Sequence, residues 1–180
     1  FSIDGKGATL LIPPTGELLD FSGIHDITIR NLTVDCDPLP FTQGTITGIS
    51  DDFREFEYEV HPGYPTLERF AEEFEVIGRN GIFVFDPQTL RWRQDVPDLY
   101  PRDSTMITPT KGRFSFNHVM PGYRNIKVGD YVAFKNMRGN ALLFKGCGNI
   151  TMEDVTVNTG PGAGFLMRTC YGAVKMTRCT

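Results

Sequence analysis

Apolar and polar residues alternate along this chain in short runs that return later in the same phase. Phe21 to Asp35 reads F-S-G-I-H-D-I-T-I-R-N-L-T-V-D, and Phe144 to Asn158 reads F-K-G-C-G-N-I-T-M-E-D-V-T-V-N. The offset is constant at 123 residues, so Gly23 aligns with Gly146, Asp26 with Asn149, Ile27 with Ile150, Leu32 with Val155 and Val34 with Val157. A weaker third copy puts Gly172, Val174, Met176 and Cys179 24 residues after Gly148, Ile150, Met152 and Val155. A period of two is that of a strand, and the pairs Arg30-Asn31 and Glu153-Asp154 between runs can bend the chain. Short strands recurring about every 24 residues, with Ile, Val, Leu, Met and Cys falling into inward columns, predict a parallel β-helix. The rival, a β-sandwich with chance similarity, would not require the turn residues to match as well.

Removing one coil from the long offset leaves roughly 100 residues outside the solenoid, which predicts an insertion. The expected organisation is therefore first coils in residues 1–41, an inserted domain in 42–140 and continuing coils in 141–180. Within the insertion, strand patterns cover Thr45 to Ile49, Glu55 to Val60, Gly81 to Phe85, Leu90 to Arg93, Arg113 to His118 and Tyr131 to Phe134. Asp86-Pro87-Gln88-Thr89 reads as a hairpin turn. Thr66 to Glu75 reads as the one helix, with Thr66 as its N-cap and Leu67, Phe70, Ala71 and Phe74 on one face. Such a set suggests a small antiparallel β-barrel, with Phe56, Tyr58, Phe83, Phe85, Phe114 and Phe116 as its core. The whole chain is thus expected to be all-β.

Composition narrows the function. The 180 residues are 40% hydrophobic and 22% charged, as in a folded protein, which excludes disorder as the main state. A net charge of -4 offers no electrostatic footprint for DNA or RNA, so no nucleic-acid partner is expected. No apolar run approaches the roughly 20 residues of a membrane-spanning helix, and none of the first residues form a signal peptide. The start at Phe1 and the stop at Thr180, both within strand patterns, suggest the N-terminal portion of a larger protein, since a solenoid needs caps.

Cys36, Cys147, Cys170 and Cys179 have no metal or redox spacing and sit among apolar residues, so they read as core thiols. The sequons Asn31-Leu32-Thr33 and Asn149-Ile150-Thr151 occupy equivalent repeat positions, where a structural turn explains them.

The candidate chemistry lies at the end of the first matched repeat. If Leu32, Val34 and Cys36 point inward, Asp35 and Asp37 share the outward face, about 6.6 Å apart along the strand. That spacing is near the carboxyl separation of roughly 6.5 to 9.5 Å in inverting glycosidases. The repeat sets Asn158 beside Asp35 and Gly160 beside Asp37, so Asp35, Asp37, Asn158 and Gln43 could hold sugar hydroxyls, with Phe41 or Tyr64 as an apolar ring face. The competing reading is that Asp-Pro starts a turn and Asp35 bonds only to local backbone. His61, bracketed by turn residues in H-P-G-Y-P, reads as a solvent-facing loop residue rather than a general base. A calcium site would need more oxygens than these two carboxylates supply, so no metal or cofactor is expected.

The run V-D-C-D-P-L-P-F-T-Q-G-T-I-T, Val34 to Thr47, resembles the β-helix proteins of glycoside hydrolase family 110, the α-1,3-galactosidases. The later T-V-N-T-G-P-G-A-G-F, Thr156 to Phe165, is similar to that family's strand and P-G-x-G-F turn. The resemblance implies a right-handed, pectin-lyase-like β-helix in which the aspartate-rich motif leads out into an inserted barrel. It also implies an exo-acting, metal-independent hydrolase that inverts configuration, takes a glycan with terminal galactose, and is secreted or periplasmic. The family's acid and base are expected in later coils, so catalytic residues are not assigned within this chain. A non-catalytic glycan-binding or scaffold module, or a polysaccharide lyase, would use the same fold. The insertion's aromatics could wall a pocket or join copies of the chain in a homo-oligomer.

Overall fold

The computed structural model describes residues 1–14, 16–69, 81–135 and 139–180. The chain is all-β and divides into two compact units, Phe1–Pro40 with Met137–Thr180, and Phe41–Asn136. Among the described residues no helix is long and apolar enough to cross a membrane.

Among the described residues every strand pairing in the first unit is parallel. One sheet has the order β1(Ser2–Ile12), β3(His25–Cys36), β11(Gly148–Val157) and β13(Tyr171–Thr177). A second sheet places β10(Leu142–Lys145) between β2(Leu19–Ser22) and β12(Phe165–Arg168). The pairing register reproduces the sequence repeat. Ile27 faces Ile150, Ile29 faces Met152 and Leu32 faces Val155, while Ile150 and Met152 face Val174 and Met176 on the other side. Because side chains alternate, a one-residue slip would turn this whole set outward. Gly148 departs from the expected partner: it faces Tyr171 rather than Gly172, across a shift before Ile150. The buried column includes Phe21 and Phe144, whose rings stack at 5.0 Å and 12°.

Turn residues repeat with the strands. Asp26 and Asn149 both adopt positive φ, as do Asn31 and Asp154, a conformation in which Asn and Asp are among the best tolerated side chains. Asn149 Nδ2 donates to Asp26 at 2.9 Å, and Asn31 Nδ2 donates to Asp4 at 3.0 Å. The side-chain amides of both sequons thus tie neighbouring turns together. Thiols repeat likewise: Cys147 donates to Phe21 O at 3.0 Å and Cys170 to Phe144 O at 3.4 Å. All four cysteines are free; Cys36 and Cys147 are buried, Cys170 and Cys179 half-buried.

Among its described residues the second unit forms a six-stranded antiparallel sheet. Its order is β6(Ile82–Phe85), β9(Tyr131–Lys135), β4(Phe41–Ile49), β5(Glu55–Val60), β8(Lys111–Ser115) and β7(Asp103–Met106). The segment before β7 links the two ends: Leu99 exchanges both backbone bonds with Ile82, and Arg102 N–H donates to Ser115 O. The core contains Phe56, Tyr58, Phe114 and Phe116, with Tyr58 stacked on Phe114 at 4.2 Å. Phe83 and Phe85 do not belong to it. Ile82 and Val84 take the inward phase of β6, and Phe83 packs edge-on against Trp92 at 6.1 Å. Leu90 to Arg93 forms one bridge, Phe85 with Trp92, rather than a strand. Asp86 makes the expected turn by accepting from the Gln88 and Thr89 N–H groups. Of the expected helix, residues 67–69 are helical and Arg69 N–H reaches Thr66 Oγ at 3.4 Å. Its remainder lies outside the described residues.

Candidate functional site

β3 carries Asp35 as its penultimate residue, between the buried Val34 and Cys36. β11 runs beside it, and Asn158 N–H donates to Val34 O at 3.0 Å, which sets the next side chains against Asp35. Asn158 Nδ2 reaches Asp35 Oδ2 at 3.2 Å, while Thr159 Oγ donates to Oδ1. Cys36 N–H also donates to Oδ1, at 2.8 Å, so the carboxylate accepts three hydrogen bonds.

Burial works to raise the Asp35 carboxyl, but donation from Thr159, Asn158 and Cys36 N–H outweighs it and holds the group below the usual carboxylate range. A carboxylate so held is a weak base and a poor proton donor near neutrality. Its geometry matches the local-backbone reading, extended by a tie to the neighbouring strand. Burial, with a smaller opposing contribution from the Thr159 bond, pushes the adjacent Cys36 thiol up, which makes it a poor nucleophile.

The sequence-predicted residues do not all meet here. Asp35 and Asn158 are brought together, and Thr159, which follows the matched repeat and was not anticipated, completes their cluster. Asp37 is exposed, with its N–H bonded to Ile12 O at 3.3 Å. Gln43 belongs to the antiparallel unit, where its partner is His61.

That second cluster is built by the run Phe41-Thr42-Gln43-Gly44. The Phe41 ring meets Tyr64 at 5.9 Å, and the buried Thr42 hydroxyl donates to Pro65 O at 2.7 Å. Gln43 Nε2 donates to His61 Nδ1 at 3.1 Å, and His61 Nε2 lies 2.7 Å from Thr45 Oγ. Gly44 has no side chain because a Cβ there would run into the Glu59 carbonyl. His61 is consequently half-buried, with Tyr131 edge-on at 4.7 Å, and not the solvent-facing loop residue expected from its turn-rich surroundings.

Among the described residues no three His, Cys, Asp or Glu side chains converge as a metal site. Scanned against protein-family models and against curated proteins, the chain matches none.

Proposed function

We propose that the chain is the β-helix and inserted barrel of a carbohydrate-active protein of the α-1,3-galactosidase type. In this reading the helix is right-handed and the protein is secreted or periplasmic. The activity is release of terminal α-galactose with inversion, without a metal. One observation supports it above the others: the run Asp35 to Gly44 lies where the chain passes from parallel pairing in β3 to antiparallel pairing in β4. That is the architectural role the motif has in the family it resembles. Asp35 and Asn158 then frame the coil, and the acid and base lie elsewhere in the protein.

A second reading is a glycan-binding module without catalysis, in which Asp35, its oxygens engaged by three internal donors, has only a structural part. The test is galactose release by the full-length protein from an aryl α-galactoside and an α-1,3-linked galactoside, with and without chelator, following the anomer by NMR. Chelator-insensitive release of β-galactose supports the hydrolase. A folded protein that releases nothing but retains α-galactosyl glycans on an array is the binding module. Neither release nor retention would overturn the carbohydrate reading.

A further inference from the structure

A cavity of about 540 Å³ opens within the antiparallel unit on the side of β4 and β5 away from the core. Thr45, Thr47, Glu59, His61, Tyr64 and Thr110 are among its walls. Its size lies in the range of small-molecule sites, roughly 300 to 1,000 Å³.

The walls select the ligand. Among the described residues they include Glu59 and no Lys or Arg, and Lys111, the strand partner of Glu59, is engaged by Glu57 at 2.9 Å, so an anion would meet a carboxylate. A wholly apolar ligand would leave the threonine hydroxyls and Glu59 desolvated and unpaired. A neutral polyol satisfies both, because its hydroxyls donate to Glu59 and both donate to and accept from the threonines. Tyr64 and Pro62 add an apolar wall of the kind that covers the C–H face of a pyranose.

Two features show that the polar groups are pre-set. Gln43 Nε2 can only donate, so His61 Nδ1 accepts and the ring hydrogen lies on Nε2. That proton points at Thr45 Oγ, which leaves the Thr45 hydroxyl hydrogen to be given to a ligand. Thr47 is the extra residue of a β-bulge between Ile46 and Gly48, the kind of irregularity that re-aims a side chain beside a site.

We infer that this cavity binds a neutral pyranose unit of a glycan, with Glu59 and Thr45 taking its hydroxyls and Tyr64 its apolar face. The site belongs to the insertion alone and is independent of where hydrolysis occurs. Binding at such a site would hold a glycan on the protein without cleaving it.

The test is an NMR titration of the full-length protein with methyl α-D-galactopyranoside, methyl α-D-glucopyranoside and lactose, with inorganic phosphate as the anionic comparison. At least one sugar is expected to give saturable shifts of the His61 ring and the Thr45 methyl in the millimolar range, with phosphate inert. Glu59→Gln, at an exposed position, and Thr45→Val should each weaken binding by about fivefold or more. The inference is overturned if a folded protein gives no shift at these residues with any of the sugars. It is equally overturned if both variants bind like the parent, or if phosphate binds more tightly than every sugar. Galactosidase activity does not enter these outcomes, so loss of the hydrolase reading would leave them unchanged.

Discussion

Gln43 on β4 donates its side-chain amide to Nδ1 of His61, the residue that follows β5, at 3.1 Å. The same ring is held from its other side by Thr45, so one imidazole is fixed by two residues of one strand. Gln43→Leu should release that ring: nitrogen shifts of His61 are expected to change from one tautomer to an averaged pair. Stability should fall by about 1 kcal/mol in urea unfolding, the usual net worth of one hydrogen bond. A His61 spectrum that does not move would show that Gln43 does not set the ring.

Gly44 and Gly48 lie on the same strand but should respond differently to alanine. At Gly44 the added methyl collides with backbone, the Glu59 carbonyl, which cannot swing aside as a side chain can. Gly44→Ala should therefore cost roughly 1–3 kcal/mol, the range for overpacking. At Gly48 the nearest atom is Glu57 Cβ at 3.5 Å, an ordinary contact. Gly48→Ala should leave the thermal midpoint close to that of the parent.

The parallel unit was legible because its repeat carries the register: aligning Ile27 with Ile150 in the sequence also names the strand partners. β6 was not legible in phase. Ile82, Phe83, Val84 and Phe85 are all apolar, so alternation cannot say which pair turns inward, and the larger rings are the ones left outside. Asn158 was found beside Asp35 because it ends the matched repeat, whereas Thr159, which the same offset sets beside Cys36, reaches Asp35 because β11 has ended at Val157 and side chains no longer alternate there. Gln43 was placed with the aspartates by proximity in sequence. Its true partner is set by strand pairing across the hairpin, in which His61 N–H bonds to Gln43 O at 2.9 Å.

Arg93 and Asp130 form an ion pair on which a buried carboxylate depends. Arg93 Nη1 lies 3.1 and 3.0 Å from the two Asp130 oxygens, and Lys127 N–H donates to Oδ2 at 2.9 Å. Asp130 is only 4% exposed, so Arg93→Ala would strand its charge. A loss of about 3 kcal/mol or more is expected by chemical denaturation. The double variant Arg93→Ala, Asp130→Asn should recover part of it, since the stranded charge is then gone.

Asp35 should make the parallel unit acid-sensitive. Its carboxyl is held below the ordinary value, so the folded state binds that proton less readily than the unfolded chain does. The resulting stability is fully present above the unfolded value, about pH 4, and is lost as pH falls through the lower folded value. Asp35→Asn keeps an acceptor for Thr159 and for Cys36 N–H but has no proton to take up in this window. At neutral pH the variant should be less stable by about 1 kcal/mol, the difference between a charged and a neutral acceptor. Urea titrations from pH 6 down to about pH 3 should then bring the two proteins together, because only the parent loses this contribution. Parallel curves, with the same gap at every pH, would mean that the three donors stabilise the strand end without favouring the ionised carboxylate.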